Sequence, residues 1–328
     1  MNQQFCGPLA AAIERHLRLR HSLGFIYRGA ASTLSSFDRY LAQHFPTTQT
    51  VTRPMVEGFL ETSRHLAPKT RAQHLSDLRQ FCRFLFQQDS TAYVPETGLL
   101  PPAKTVCRPH LYSPDELMQL IRLAKQLPPA GSLRPWTYAT LIGLLWVTGL
   151  RIGEALRLNL EDVDLKQGLL VIQQTKNFKS RLIPLTTSTI QALRDYRERR
   201  SSYGHDQRAT APFFVNERAR RCVRRTVEST FLAMTRHLNL KTAQGLSPRL
   251  HDFRHAFATR SLARFYQSGQ EPAAYLPVLA TYLGHTNITD TEVYLHPQLD
   301  LLETAGERFR THIREIGNLT LGGPDEGL

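Results

Sequence analysis

The 328-residue sequence predicts a mainly α protein with a small antiparallel β-sheet confined to the second of two domains. Three observations carry this reading. Apolar residues recur at helical spacing through residues 8–86 with no strand pattern among them. Prolines 95, 101, 102 and 109, with Gly98, then interrupt any helix. Strand-like runs occur only in VDLKQGLLVIQQTKNFKSRLIPL, and helical spacing resumes after it.

Leu9, Ile13, Leu17 and Leu19 mark a first helix, and Leu34, Phe37, Leu41 and Phe45 a second. A third spans about 52–64. A fourth follows Pro68, with Leu75, Leu78, Phe81, Phe84 and Leu85 on one side. These form a bundle domain over 1–90, with a linker at 91–112. The second domain, 113–328, opens at Ser113-Pro114-Asp115-Glu116, a capping box with proline in the first helical position. Its helices are expected near 113–127, 134–149 and 152–158. Strands follow at Leu169–Ile172 and Arg181–Leu185, then helices near 187–200, 221–237, 252–266, 273–283 and 299–314.

Lys plus Arg number 41 against 28 Asp plus Glu. The excess is shared: residues 1–110 carry 13 basic and 7 acidic side chains, and 111–328 the rest. A polyanion, nucleic acid by default, is the expected partner of both domains. Residues 176–225 are densest, with 13 basic and 4 acidic side chains. No apolar run reaches the roughly 18 residues that span a bilayer, and no signal-peptide order opens the chain. No membrane association is expected, and the protein is placed in the cytoplasm, at the nucleoid. Cys6, Cys82, Cys107 and Cys222 are too scattered for a zinc knuckle or a disulfide framework.

Several basic residues sit at turn signals. Arg151 follows Gly149-Leu150 where one helix ends and another begins, so it either grips a phosphate or pairs with Glu154. Lys176 and Lys179 lie between the two strands, either solvated or delivered to a leaving oxygen as a general acid. His251, Arg254 and His255 share a helix face. Asp252 replaces the Glu of a zinc H-E-x-x-H helix, so phosphate binding by His251 and Arg254 fits the charge better than a metal. Gly284-His285 is followed, nine residues beyond the histidine, by Tyr294.

Taken in chain order, Arg151, Lys176, His251 with Arg254, His285 and Tyr294 resemble the tyrosine recombinase, or phage-integrase-like, family. The local wording agrees: TGLRIGEALRL, RLIPL, LHDFRHAFATR, LGHTNITDTEVYLH. The likeness is strong over about 110–300 and looser over 1–90, which resembles the family's DNA-binding core domain. FYQSGQEPAAYLPVLATYLGH looks most like recombinases of transposons and other mobile elements. The hairpin departs from the family's frequent G-K-G-x-K, reading Thr175-Lys176-Asn177-Phe178-Lys179, so Lys179 stands as the fallback lysine.

The resemblance implies a site-specific recombinase acting in integration, excision or resolution of a mobile element or replicon. Its nucleophile would be Tyr294, forming a 3′-phosphotyrosyl intermediate. Arg151 and Arg254 would neutralise the phosphate, His285 donate a further hydrogen bond and Lys176 protonate the 5′ oxygen. His251 would relay a proton or orient the site. No metal, ATP or other cofactor is expected. Double-stranded DNA is the expected partner, met by Lys179, Arg181, Arg220, Arg221 and Arg224. So is a homotetramer on synapsed DNA, with accessory DNA-binding proteins. The last helix, about Leu301–Ile316, either packs on its own domain or docks on a neighbour. A non-catalytic DNA-binding regulator, a relaxing topoisomerase and a metal nuclease are the competing readings.

Overall fold

A computed structural model describes residues 5–25, 27–101, 109–173, 180–268 and 272–284. The chain divides into two compact units, residues 1–106 and 107–328.

The first unit holds four helices: α1 (Ala10–Ser22), α2 (Arg28–His44), α3 (Arg53–Thr62) and α4 (Pro68–Phe86). Prolines in the first turns of α3 and α4 cost nothing there, because the amides they remove would have no helical partner. Most of the predicted stripe residues are buried, Ile13, Leu34, Phe37, Leu41, Leu78 and Phe81 lying in one core with Val56 of α3, whereas Leu19 is exposed on the last turns of α1. Buried Asp77 is satisfied by the Thr33 hydroxyl at 2.9 Å and Gln73 Nε2 at 2.9 Å. Residues 92–100, read from the sequence as linker, belong to this unit. Ala92 is buried in its core, and Tyr93, Val94, Leu99 and Leu100 pack against it. Arg79 also donates to the carbonyls of Pro95 (2.8 Å) and Glu96 (2.7 Å).

The second unit carries α5 (Pro114–Ala124), α6 (Arg134–Thr148), α7 (Ile152–Arg157), α8 (Thr187–Ser202), α9 (Arg224–His237), α10 (Asp252–Gln267) and α11 (Pro272–Leu283). The capping box at α5 is formed as read: Glu116 N–H donates to Ser113 Oγ at 3.1 Å and Ser113 N–H to Glu116 Oε2 at 2.8 Å. α6 is buried on nearly every face, as its apolar run requires, and ends at Gly149 in the left-handed region, φ 62°. The sheet is antiparallel in the order β1 (Val163–Asp164), β2 (Leu169–Ile172), β3 (Arg181–Pro184). Leu170 pairs with Ile183 and Ile172 with Arg181, which puts Leu170, Ile172 and Ile183 into the core. Strand β1 is too short to show a period and was not anticipated. Residues 221–223, expected to be helical, precede α9: Arg221 instead forms a β-bridge with Val215. The expected helix at 299–314 lies outside the described residues.

No described helix is long and apolar enough to cross a membrane. Cys6, Cys82 and Cys222 are free thiols.

One buried histidine gives the first unit an acid limit. His16 is 1% exposed, ringed by Tyr27, Phe81 and Phe84, and neither of its ring nitrogens has a hydrogen-bond partner. Burial, with the Arg20 charge behind it, pushes its pKa down to about 4, below the 6.5 of the unfolded chain. Between those values the unfolded chain binds a proton that the folded chain does not. Stability therefore holds above pH 6.5 and falls as the pH drops toward 4, by on the order of 3 kcal/mol. Hydrogen exchange of α1 and α4 amides in the full chain at pH 7 and pH 5 reads this loss. His16→Leu is expected to flatten the pH dependence, and an unchanged dependence in that variant would contradict the assignment.

Candidate active site

Three helix ends and one strand end meet in the second unit. α6 stops at Gly149, Arg151 is the N-cap of α7, Arg254 lies in the first turn of α10, and β3 begins at Arg181. All face the C-terminal end of α11. The last carbonyls of a helix lack intrahelical donors and carry partial negative charge, so cations collect there. Arg181 Nε donates to the Tyr282 carbonyl at 2.8 Å, Arg254 Nη2 to that of Leu283, and Arg151 Nη1 to that of Gly284 at 3.4 Å. Arg254 Nη1 also donates to the Gly149 carbonyl at 3.0 Å, tying the ends of α6 and α11 together.

One carboxylate sits among these guanidinium groups. The Glu154 side chain is 3% exposed. Its Oε1 accepts from Arg151 Nη1 at 3.1 Å and Arg181 Nη1 at 3.2 Å. Its Oε2 accepts from Arg181 Nη2 at 2.8 Å and the Arg151 amide at 3.0 Å. Burial alone would raise its pKa; the bonds and charge of Arg181, then those of Arg151, outweigh that and hold it below the usual carboxylate value. Both alternatives raised for Arg151 are thus compatible: it pairs with Glu154 and still keeps 38% of its side chain exposed, against 11% for Arg181.

His251 caps α10 beside Arg254. Its ring meets that of His255 edge to face at 4.9 Å. The protein around it, then the charges of His255, Arg254 and Arg249, push its pKa down to about 4, so the imidazole is neutral at pH 7. Asp252 locks the entry to α10 by accepting from Arg249 N–H at 2.8 Å and Arg249 Nη2 at 2.9 Å. Among the described residues no group of three or more His, Cys, Asp or Glu side chains is arranged to hold a metal ion.

The structure thus brings Arg151, Arg254 and His251 into one unit around the α11 end. Lys176, Lys179, His285 and Tyr294 lie outside the described residues. Arg254 is 1% exposed and spends two donors on carbonyls, which makes it a brace as well as a charge. Two residues expected on the DNA face have their guanidinium groups engaged within the protein. Arg181 has its guanidinium on Glu154 and Tyr282. Arg221 donates to the Leu156 and Leu158 carbonyls (2.7 and 3.3 Å) and to Asn159 Oδ1 at 2.6 Å, closing the end of α7. Arg220 and Arg224 are exposed, the latter pairing with Glu228 at 2.7 Å. Sequence reasoning named Glu154 as a partner of Arg151 but missed its second partner, Arg181. Tyr275 and Tyr282 stack on Phe265 and Phe257 at 4.3 and 5.4 Å.

Comparison with known proteins agrees with this frame. A model of the phage integrase family matches residues 112–300, and one of the phage integrase N-terminal SAM-like domain matches 30–89. The integrase/recombinase y4rB of Sinorhizobium fredii is 36% identical over 302 residues, 91% of this chain and 96% of its own length. Tyrosine recombinase XerD of Oceanobacillus iheyensis is 30% identical over 284 residues, 83% of this chain and 90% of its own. The XerH site-specific recombinase bound to palindromic difH substrate shares the fold at TM-score 0.65 and 19% identity, covering 93% of this chain and 85% of that one. The Tn1549 transposon integrase in complex with a circular intermediate DNA does so at 0.64 and 17%, covering 91% and 99%. The chain belongs to the phage integrase family of tyrosine recombinases, enzymes that cut and rejoin DNA strands.

Gly284 shows how tightly the cluster closes. Its φ is +69°, and a Cβ there would stand 2.7 Å from Arg181 Nη1. Gly204 has a similar φ of +71° with open space around it. Gly204→Ala should cost only the backbone term of about 1 kcal/mol, and Gly284→Ala distinctly more. Denaturant midpoints of the two variants test this, and equal losses would mean that Arg181 yields freely.

Proposed function

We propose that this chain is a site-specific recombinase that transfers a DNA phosphodiester to Tyr294 and back. The observation that carries the reading is the Arg151–Arg181–Glu154 cluster: a net positive, partly exposed site at a helix end. A phosphodiester gathers charge on its non-bridging oxygens in the transition state, and fixed guanidinium groups favour that charge without reorganising.

In the proposed step the Tyr294 oxygen bonds to phosphorus and the bond to the 5′ oxygen breaks. His251 accepts or relays the phenol proton, and Lys176 supplies one to the departing oxygen. The phenol ester keeps the bond energy, so a second 5′ hydroxyl reseals the strand without ATP. Arg151 holds the phosphate directly. Arg254 adds charge from its buried position, and His285, one residue beyond Gly284, donates a further hydrogen bond. Exposed Arg220 and Arg224, with Lys179, contribute phosphate contacts along the duplex, which makes binding strongly salt-dependent. A homotetramer on two synapsed sites, aided by accessory proteins, would restrict cutting to paired DNA; the basic surfaces of both units suit a duplex held between copies.

The test is a covalent trap: nicked duplexes tiled from DNA flanking the gene, in EDTA and without ATP. A denaturant-resistant adduct is expected with the wild type and none with Tyr294→Phe; an adduct surviving that change would reassign the nucleophile. The neutral state of His251 makes a second demand. Its depressed pKa keeps the accepting form populated at all pH values above about 4. The single-turnover rate should therefore show no acid limb near pH 6.5. A limb there that disappears in His251→Gln would contradict the assignment.

A further inference from the structure

Arg151 is offered a competing anion inside its own protein. Glu154 takes the Arg151 Nη1 donor on Oε1 and is buried where water cannot screen it. Were these two alone, the pair would be neutral, and a phosphate approaching Arg151 would meet no net charge. Arg181 changes that balance. It spans both oxygens of Glu154, at 3.2 and 2.8 Å, in the forked geometry that only a guanidinium provides. Two cations now share one carboxylate, and one positive charge is left over. That surplus falls to Arg151, the more exposed of the two. Arg181 also grips the Tyr282 carbonyl and lies against Gly284, so the same side chain fixes the α11 end beside Arg151.

We infer that Arg181 is a positioning residue for strand cleavage: by neutralising buried Glu154 it leaves Arg151 free to hold the scissile phosphate, and it touches no DNA itself. This rests on the reading that Arg151 binds that phosphate and Tyr294 attacks it.

The test measures adduct formation on a nicked duplex with protein in excess, reading rate constant and amplitude separately, and duplex affinity across a salt series. Arg181→Gln is expected to lower the rate constant at least 100-fold and to make the salt slope of binding shallower by up to about one, because Arg151, paired with Glu154 alone, no longer holds its phosphate. Adding Glu154→Gln removes the competing charge, and the double variant should regain at least tenfold over Arg181→Gln. Arg181→Lys keeps the charge and folds more safely; it should stay within tenfold of wild type. Three outcomes overturn the inference. A salt slope shallower by about one in Arg181→Gln that adding Glu154→Gln does not restore means that Arg181 itself contacts a phosphate. Lower amplitude at an unchanged rate constant means that it is only scaffold. A double variant no faster than Arg181→Gln means that charge balance is not its role. Loss of the Tyr294-dependent adduct in the wild type itself would be different: it would sink the reading of the reaction, and the inference with it.

Discussion

A carboxylate shut away from water must be given counter-charge, and Glu154 is given it by two arginines from different parts of the chain. Arg151 comes from the start of α7, Arg181 from the start of β3. Leaving such a charge uncompensated costs several kcal/mol, so α7 and β3 are held together by necessity. The free carbonyls at the end of α11 draw the same arginines, together with Arg254 from α10. One ionic centre thus determines how four elements meet. The arrangement that satisfies Glu154 is also the arrangement that collects positive charge at one spot.

The hydrophobic framework supplies the stiffness this needs. Tyr112 stacks on Phe253 at 4.2 Å, and Phe253 also meets Phe231 and Trp146, joining the entry of the unit to α6, α9 and α10. A smaller apolar set, Ala258, Leu262, Leu276, Leu279 and Leu283, glues α11 to α10. The arginines therefore act on helix ends already fixed by packing. A guanidinium held on a rigid element loses little entropy when an anion arrives.

Much of this was legible in the sequence. Apolar spacing located the helices because burial on one face imposes it, and the capping box at Ser113 marked the start of α5. Arg151, His251 and Arg254 stood out as basic residues at turn signals. The linker was drawn too long because proline content reports a broken helix, not a detached chain: Arg79 and the bundle core hold residues up to 100. The intramolecular partners of Arg181 and Arg221 were invisible for a related reason. Composition counts charge but cannot tell a donor facing solvent from one serving a buried carbonyl. Glu154 was visible as a partner three residues from Arg151, but its second partner is 27 residues away, across the hairpin. Only the β2–β3 register, with Ile172 opposite Arg181, brings that arginine back to the site.

The central claim is that Arg151, left with a surplus positive charge because Arg181 neutralises Glu154, is where the DNA phosphate rests. A structure of the Tyr294→Phe protein on its duplex tests it most directly. The account predicts a phosphate oxygen within about 2.7–3.2 Å of the Arg151 guanidinium, with Arg181 still on both oxygens of Glu154. A phosphate bound by Arg181 instead, or one resting away from the α11 end, would contradict it.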